Sequence, residues 1–294
     1  MKKLFSGLVL ALLITSVFAV EWEQKGSFKG YASEVNYIGF FDAKNGIAVG
    51  ASGFVRYTNN GGKKWKKGKN TSRCLFTLDM LTKDFAWAAG DGNHVRFTKD
   101  GGKTWEAVPD LFLNDKFSVL DFCDEKTGWI GTRKRLAMTT DGSQTFTQLT
   151  LPENYGDISA IYLFNEKTGY VVNTVGRMIK TKDAGATWED MAIDFTRLGV
   201  VNEKNKPGLY KLQIPGSVLY FADENNGMFI FQGVVSGKGT HLFCMETKDG
   251  GNTWTDSEIP VPEGFQPNTV YLNEDATVLT VSNPNKDSYI FVRK

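Results

Sequence analysis

Thr98-Lys99-Asp100-Gly101-Gly102-Lys103-Thr104-Trp105 is one of five versions of a single eight-residue phrase in this chain. It occurs earlier as Thr58-Asn59-Asn60-Gly61-Gly62-Lys63-Lys64-Trp65 and next as Thr139-Thr140-Asp141-Gly142-Ser143-Gln144-Thr145-Phe146. Two more follow, Thr181-Lys182-Asp183-Ala184-Gly185-Ala186-Thr187-Trp188 and Thr247-Lys248-Asp249-Gly250-Gly251-Asn252-Thr253-Trp254. Their first residues lie 40, 41, 42 and 66 apart. A near-constant period of this size means a repeated supersecondary unit that buries its apolar surface only against a neighbour.

Working outward, a second marker precedes each phrase: an apolar strand, an acidic or amide turn, a small residue, and another apolar strand. Examples are Phe41-Asp42-Ala43-Lys44-Asn45-Gly46 and Cys123-Asp124-Glu125-Lys126-Thr127-Gly128. Aligned on the small residue, the marker falls at Gly46, Ala86, Gly128, Gly169, Gly227 and Thr277, which makes six units. Each unit reads as four short strands rich in β-branched and aromatic residues and punctuated by turns. The expectation is an all-β, six-bladed β-propeller occupying residues 20–294 as one domain. Trp22 stands where the aromatic of a box would stand before the first marker, and Tyr289-Ile290-Phe291-Val292-Arg293-Lys294 resembles a strand leading into a box that never comes. The N-terminal strand is therefore expected to pair into the last blade and close the ring, leaving no long free edge.

Within the phrase, the carboxylate or amide at Asn60, Asp100, Asp141, Asp183 and Asp249 can accept hydrogen bonds from the exposed N–H groups of a tight turn. The glycines supply positive φ, and the aromatics Trp65, Trp105, Phe146, Trp188 and Trp254 wedge between sheets. One carboxylate per blade on a ring's periphery cannot converge on a reacting atom, so these residues read as structural.

These segments resemble the Asp-box, or BNR repeat, of pattern Ser/Thr-x-Asp-x-Gly-x-Thr-Trp/Phe. Box one departs, with Asn60 for Asp and Lys64 for Thr, and box three ends in Phe146. Asp-boxes are familiar from sialidases, so a glycan-binding or glycoside hydrolase propeller is the alternative reading. The sialidase Arg-Ile-Pro motif is absent; the first arginine, Arg56, is followed by Tyr57 and Thr58. The fuller repeat, Phe-x-Asp-x-x-x-Gly-x-x-x-Gly followed by Thr-x-Asp-Gly-Gly-x-Thr-Trp, is similar to the photosystem II stability and assembly factor family, as in Phe41-Asp42 through Gly50 to Trp65. That resemblance implies a non-enzymatic propeller, exported or lumenal, that assists assembly of membrane-protein complexes by binding client polypeptide.

The chain opens with Lys2 and Lys3, an apolar run from Leu8 to Leu13, and Val17-Phe18-Ala19, the pattern of a cleavable signal over residues 1–19. A periplasmic or secreted monomer is expected, with no membrane span. Removing the leader leaves 32 basic side chains against 33 acidic, which provides no general drive toward nucleic acid. Cys74, Cys123 and Cys244 allow at most one disulfide and read as small buried hydrophobes. Asn70-Thr71-Ser72 fits the glycosylation pattern. His94 and His241 sit in different blades without a second ligand at metal spacing and read as solvated; no metal, cofactor or catalytic residue is assigned.

Binding is expected on the face opposite the boxes, where the second turn of each blade and the blade-to-blade links lie. Two insertions break the period there: the link Arg197–Gly216, and the second turn of blade five, Gln232–Thr240. Basic residues collect on the same face. Arg133, Arg135 and Arg177 are read as an anion-binding patch for a protein partner, because arginine offers a planar bidentate fork. Lys206, Tyr210, Lys211 and Lys238 extend it from the insertions.

Overall fold

The computed structural model describes residues 22–28, 35–69, 71–108, 115–191, 193–195, 198, 212–235, 239–259, 261, 269–273, 276–282 and 288–293. The chain leads with β1 (Trp22–Phe28) and then lays down five four-stranded antiparallel sheets in sequence order. Blade one is β2 (Val35–Phe40), β3 (Gly46–Gly50), β4 (Val55–Thr58) and β5 (Lys66–Lys67). Blade two is β6 (Leu75–Met80), β7 (Ala86–Gly90), β8 (Val95–Thr98) and β9 (Glu106–Ala107). Blade three is β10 (Val119–Phe122), β11 (Gly128–Gly131), β12 (Leu136–Thr139) and β13 (Thr147–Leu149). Blade four is β14 (Ile158–Leu163), β15 (Gly169–Asn173), β16 (Met178–Thr181) and β17 (Glu189–Met191). Blade five is β18 (Leu212–Phe221), β19 (Gly227–Val235), β20 (Gly239–Thr247) and β21 (Thr255–Glu258).

The sixth sheet holds β22 (Thr269–Leu272), β23 (Val278–Ser282) and β24 (Ser288–Arg293), and its fourth strand is β1. The pairing runs antiparallel from Trp22↔Arg293 to Phe28↔Ser288, with one irregularity between Gln24 and Gly26. The expected six-bladed propeller, closed through its N-terminal strand, is the observed architecture. The marker residues open the second strand of blades one to five; in blade six that strand opens at Val278, one residue beyond the aligned Thr277.

Six apolar clusters fill the six seams between neighbouring blades. The seam between blades one and two, for example, joins Ile47, Val49 and Val55 to Leu78, Met80, Ala88 and Trp105. The closing seam, between blades six and one, is built from Val278 and Ile290 against Val35, Ile38, Phe40, Ala48 and Phe54. Thr280 and Ser282 share the face of Val278 by strand alternation. Both hydroxyls are buried without a hydrogen-bond partner, so the closing seam carries polar groups among its apolar contacts.

The marker's glycine is required by close approach rather than by dihedral freedom. Phe40 pairs with Gly46, Phe122 with Gly128 and Phe221 with Gly227 across the first hairpin, and each phenyl ring lies on its glycine. A Cβ on Gly128 would stand 2.2 Å from the Phe122 ring. Blade two has Met80 opposite Ala86, a flexible side chain that accommodates the extra carbon. Gly128→Ala is thus expected to destabilise by about 1–3 kcal/mol through overpacking. Adding Phe122→Met should recover much of the loss in denaturant melts, and an unimproved double variant would contradict this account.

The box turns are held together by their own side chains. In box two, Thr98 Oγ1 donates to Asp100 Oδ1 at 2.9 Å and accepts the Gly102 N–H at 3.0 Å. Asp100 Oδ1 also takes the N–H groups of Lys103 and Thr104, while Oδ2 takes the Thr104 hydroxyl at 2.6 Å. Boxes three, four and five repeat the hydroxyl bond from Thr145, Thr187 and Thr253 at 2.5–2.6 Å. In box one Asn60 Oδ1 takes the Lys64 N–H at 3.0 Å, and Lys64 has no hydroxyl to complete the set. Of the wedging aromatics, Trp105 and Trp254 are buried; Trp65, Phe146 and Trp188 are half-buried.

The threonine hydroxyls hold the Asp141 and Asp183 carboxyls down at about 2, below their ordinary 3.8. A depressed folded-state pKa contributes stability that is present above the unfolded value and lost as pH falls through the folded one. Asp141→Asn should therefore lower the Tm at pH 7 and converge with the parent protein between pH 4 and pH 2. Parallel melting curves at pH 2 would show that the carboxylate's charge is irrelevant.

Candidate binding face

Strand order places the first hairpin turns and the box turns at one end of every blade, and the second turns and the links at the other. The second turn of blade three is shaped by Thr132, whose Oγ1 accepts the N–H groups of Lys134 and Arg135 at 3.3 and 3.1 Å. Arg133 and Arg135 stand on that turn, and Arg177 closes the matching turn of blade four, where Asn173 Oδ1 accepts its N–H at 2.8 Å. Topology thus brings the three arginines to one end of neighbouring blades.

The expectation of a bare anion patch is corrected, because each guanidinium is already on a carboxylate. Arg133 Nη2 pairs with Asp157, and Arg135 Nη2 with Asp115 at 2.9 Å. Arg177 grips Asp190 with Nε at 2.6 Å and Nη2 at 2.8 Å. It also lies over the Tyr155 ring, 5.4 Å from its centroid. The Tyr155 hydroxyl donates within reach of the carbonyls of Val171 and Arg177, at 2.7 and 2.9 Å, which ties the turn down. The acids come from other segments, so the local charge count of a loop could not reveal them.

The described residues of the insertion in blade five form a strand extension. Pairing between β19 and β20 continues through Gln232↔Leu242, Gly233↔His241, Val234↔Thr240 and Val235↔Gly239, beyond the last outer-strand pair Phe243↔Glu258. Aromatic packing stiffens its base: Phe229 and Phe231 stack at 4.8 Å, Phe231 and Phe243 at 5.3 Å, and Phe195 meets Phe231 edge-on at 5.1 Å. His241 is exposed, 6.4 Å from the Phe243 ring. Gln232 is wholly buried with neither amide atom hydrogen-bonded. Lys206, Tyr210, Lys211 and Lys238, the glycosylation asparagine Asn70 and the leader lie outside the described residues.

The inner strands line the central channel. At one equivalent position the six blades place Gly39, Asp79, Asp121, Tyr162, Tyr220 and Tyr271. The missing Cβ of Gly39 admits the Tyr271 ring, which meets Tyr37 edge-on at 6.0 Å. Tyr37 donates to the Val270 carbonyl at 2.8 Å, and Tyr162 to that of Phe221 at 2.9 Å. Asp79 Oδ2 accepts the Phe122 N–H at 2.9 Å, and Asp121 Oδ2 the Leu163 N–H at 2.5 Å, so each carboxylate stitches its blade to the next. The signal in the sequence was an acid inside an apolar strand, Leu78-Asp79-Met80 and Leu120-Asp121-Phe122. The cavity is about 60 Å³, far below the ~300 Å³ typical of a small-molecule site.

Burial, then the Asp79 charge, pushes the Asp121 carboxyl well above its ordinary value. A raised carboxyl pKa penalises the folded state as pH rises from the unfolded value through the folded one. Asp121→Asn keeps an acceptor for Leu163 and removes that penalty. Its Tm should exceed the parent's by a few degrees at neutral pH, with the gap closing below pH 4. A lower Tm at pH 7 would refute this.

His94 is buried, contrary to the solvated reading; burial, then the charges of Arg96 and Arg73, push its imidazole down to about 4. Cys74, Cys123 and Cys244 are all free thiols, and of the three only Cys244 is fully buried. Among the described residues no group of three His, Cys, Asp or Glu side chains is placed to hold a metal ion. No described helix is long and apolar enough to cross a membrane.

Comparison with known proteins agrees with this geometry. The sequence profile of the family described as photosynthesis system II assembly factor YCF48 matches residues 110–200. The photosystem II assembly lipoprotein Ycf48 of Synechococcus sp. (strain CC9902) is 25% identical over 221 residues, 74% of this chain and 54% of that protein. The chain thus matches about half the length of that relative. The solved YCF48 from Cyanidioschyzon merolae superposes with a TM-score of 0.56 at 14% identity, covering 92% of this chain and 98% of that one. An ancestral GH74 enzyme superposes at 0.54 and 13% identity, covering 86% of this chain and 35% of its own.

Proposed function

We propose that this β-propeller, similar to the photosystem II assembly factors, is an exported, non-enzymatic scaffold that binds polypeptide and assists assembly or stability of a membrane or envelope complex. The names of its relatives support the assembly role, and the lipoprotein name of the Synechococcus protein supports a place outside the cytoplasm beside a membrane. The observation that carries the reading is the blade-five hairpin. Among the described residues, paired strands run furthest past the outer strand here, by four residue pairs against one in blades one and two, with a stiff aromatic base and an exposed His241. Long segments on a rigid scaffold are where partner recognition concentrates.

The glycosidase alternative draws on the GH74 likeness, which shows the fold alone. The channel carboxylates Asp79 and Asp121 each hold a backbone N–H of the next blade, in a cavity too small for a sugar ring.

A photocrosslinker at position 241 should yield adducts with subunits of a membrane or envelope complex in cells, while the same group at Thr147 on the rim of blade three should not. Identical adducts from both positions, or none from His241, would sink the reading.

A further inference from the structure

The outer strand of blade one carries charge that the fold does not call for. Lys63, Lys64, Lys66, Lys67 and Lys69 fall within seven residues and are all exposed. The strand leaves blade one against the box turn of blade two: Lys69 N–H donates to the Lys103 carbonyl at 2.9 Å. Gly68 makes this possible, since a Cβ there would stand 2.4 Å from the Gly102 carbonyl oxygen. Lys103, also exposed, thereby joins the five in one seam of six lysines. Among the described residues the ion pairs engage Lys83, Arg133, Arg135 and Arg177, and none of these six.

The other blades act as internal controls, because the same structural positions recur there. One place after the box aromatic they carry Glu106, Thr147, Glu189 and Thr255, and two places after it Ala107, Gln148, Asp190 and Asp256. Neutral and acidic residues therefore satisfy the outer strand, and lysine is not a structural requirement. Box one goes further. Lys64 replaces the threonine whose hydroxyl holds the carboxylate in the other four boxes, forgoing that bond. Asn60 replaces the aspartate, removing blade one's own box carboxylate from beside these lysines, while Asp100 of box two stays on the Lys103 and Thr104 N–H groups. Both departures raise the net positive charge of the seam.

We propose that this seam docks the propeller edge-on to an anionic lipid bilayer. The seam lies on the convex outer edge, and it is built of lysines, flexible point charges without the planar fork that arginine uses to read a carboxylate. Such a row recognises summed charge spread over an extended surface, and each lysine near an anionic membrane strengthens binding about fivefold. The inference is independent of the client reading, which concerns the opposite face of blade five.

The test is co-sedimentation of the whole folded protein with phosphatidylcholine vesicles, with and without phosphatidylglycerol. The variant Asn60→Asp, Lys64→Thr, Lys66→Thr, Lys67→Gln gives box one the residues of its sister blades and restores the threonine–carboxylate bond. The parent should bind the anionic vesicles only, and less at high salt. The variant should lose on the order of a hundredfold in partitioning with its Tm unchanged or raised. Should it melt early, Lys66→Thr with Lys67→Gln alone must still lose roughly twentyfold. Equal binding to neutral vesicles, retention by the variant, or capture of a polyglutamate peptide without vesicle binding would each overturn the assignment.

Discussion

Every sheet in this protein has two faces to bury, and a ring of sheets succeeds only if the last one finds a partner on both sides. That constraint is met by one antiparallel pairing, β1 on β24, which builds the sixth sheet from both ends of the chain. The rest follows from it. Because both faces of each blade are covered, the second strands of blades one, two and four, Gly46–Gly50, Ala86–Gly90 and Gly169–Asn173, are buried at every residue. Variation is confined to the turns, the links and the short outer strands. Any activity has to be found there or in the channel, and the channel is filled by tyrosines and by carboxylates already holding backbone.

What was legible in the sequence is what is decided within a few neighbouring residues. The box turn is self-contained: Thr98, Asp100 and Thr104 satisfy one another and the backbone between them, so the pattern is readable without the fold. Repetition of that pattern yields the blade count, and the unmatched aromatic and final strand yield the closure. The channel, by contrast, is assembled from one residue of each blade, and Asp79 and Asp121 meet only when the ring exists.

The arginines failed as a free patch for the same reason. Asp115 and Asp157 reach Arg135 and Arg133 from segments about 20 residues away, across a turn and a blade boundary, where loop composition says nothing. His94 was misread because a strand-end position suggested water, whereas the turn folds back and buries it. The blade-five insertion was located by length alone; that it would pair as strand rather than wander depended on alternation too short to separate from loop. Departures from the repeat were the more informative signal, since Asn60 and Lys64 are visible as exceptions only after the four regular boxes show what their positions ordinarily do.

The closing pair also imposes an order of events. A chain that emerges amino end first exposes β1 before the strands of blades one to six, yet the partner of Trp22 is Arg293, 271 residues further along. Until β24 is present the amide groups of β1 have only water as partner, and the sixth sheet cannot form around it. Five blades can assemble in sequence meanwhile, but as an open arc whose terminal faces, carrying Phe40 and Ile38 at one end and Ile230 and Cys244 at the other, are wet. The ring therefore locks only once β24 has met β1, and until then an open arc exposes apolar blade faces.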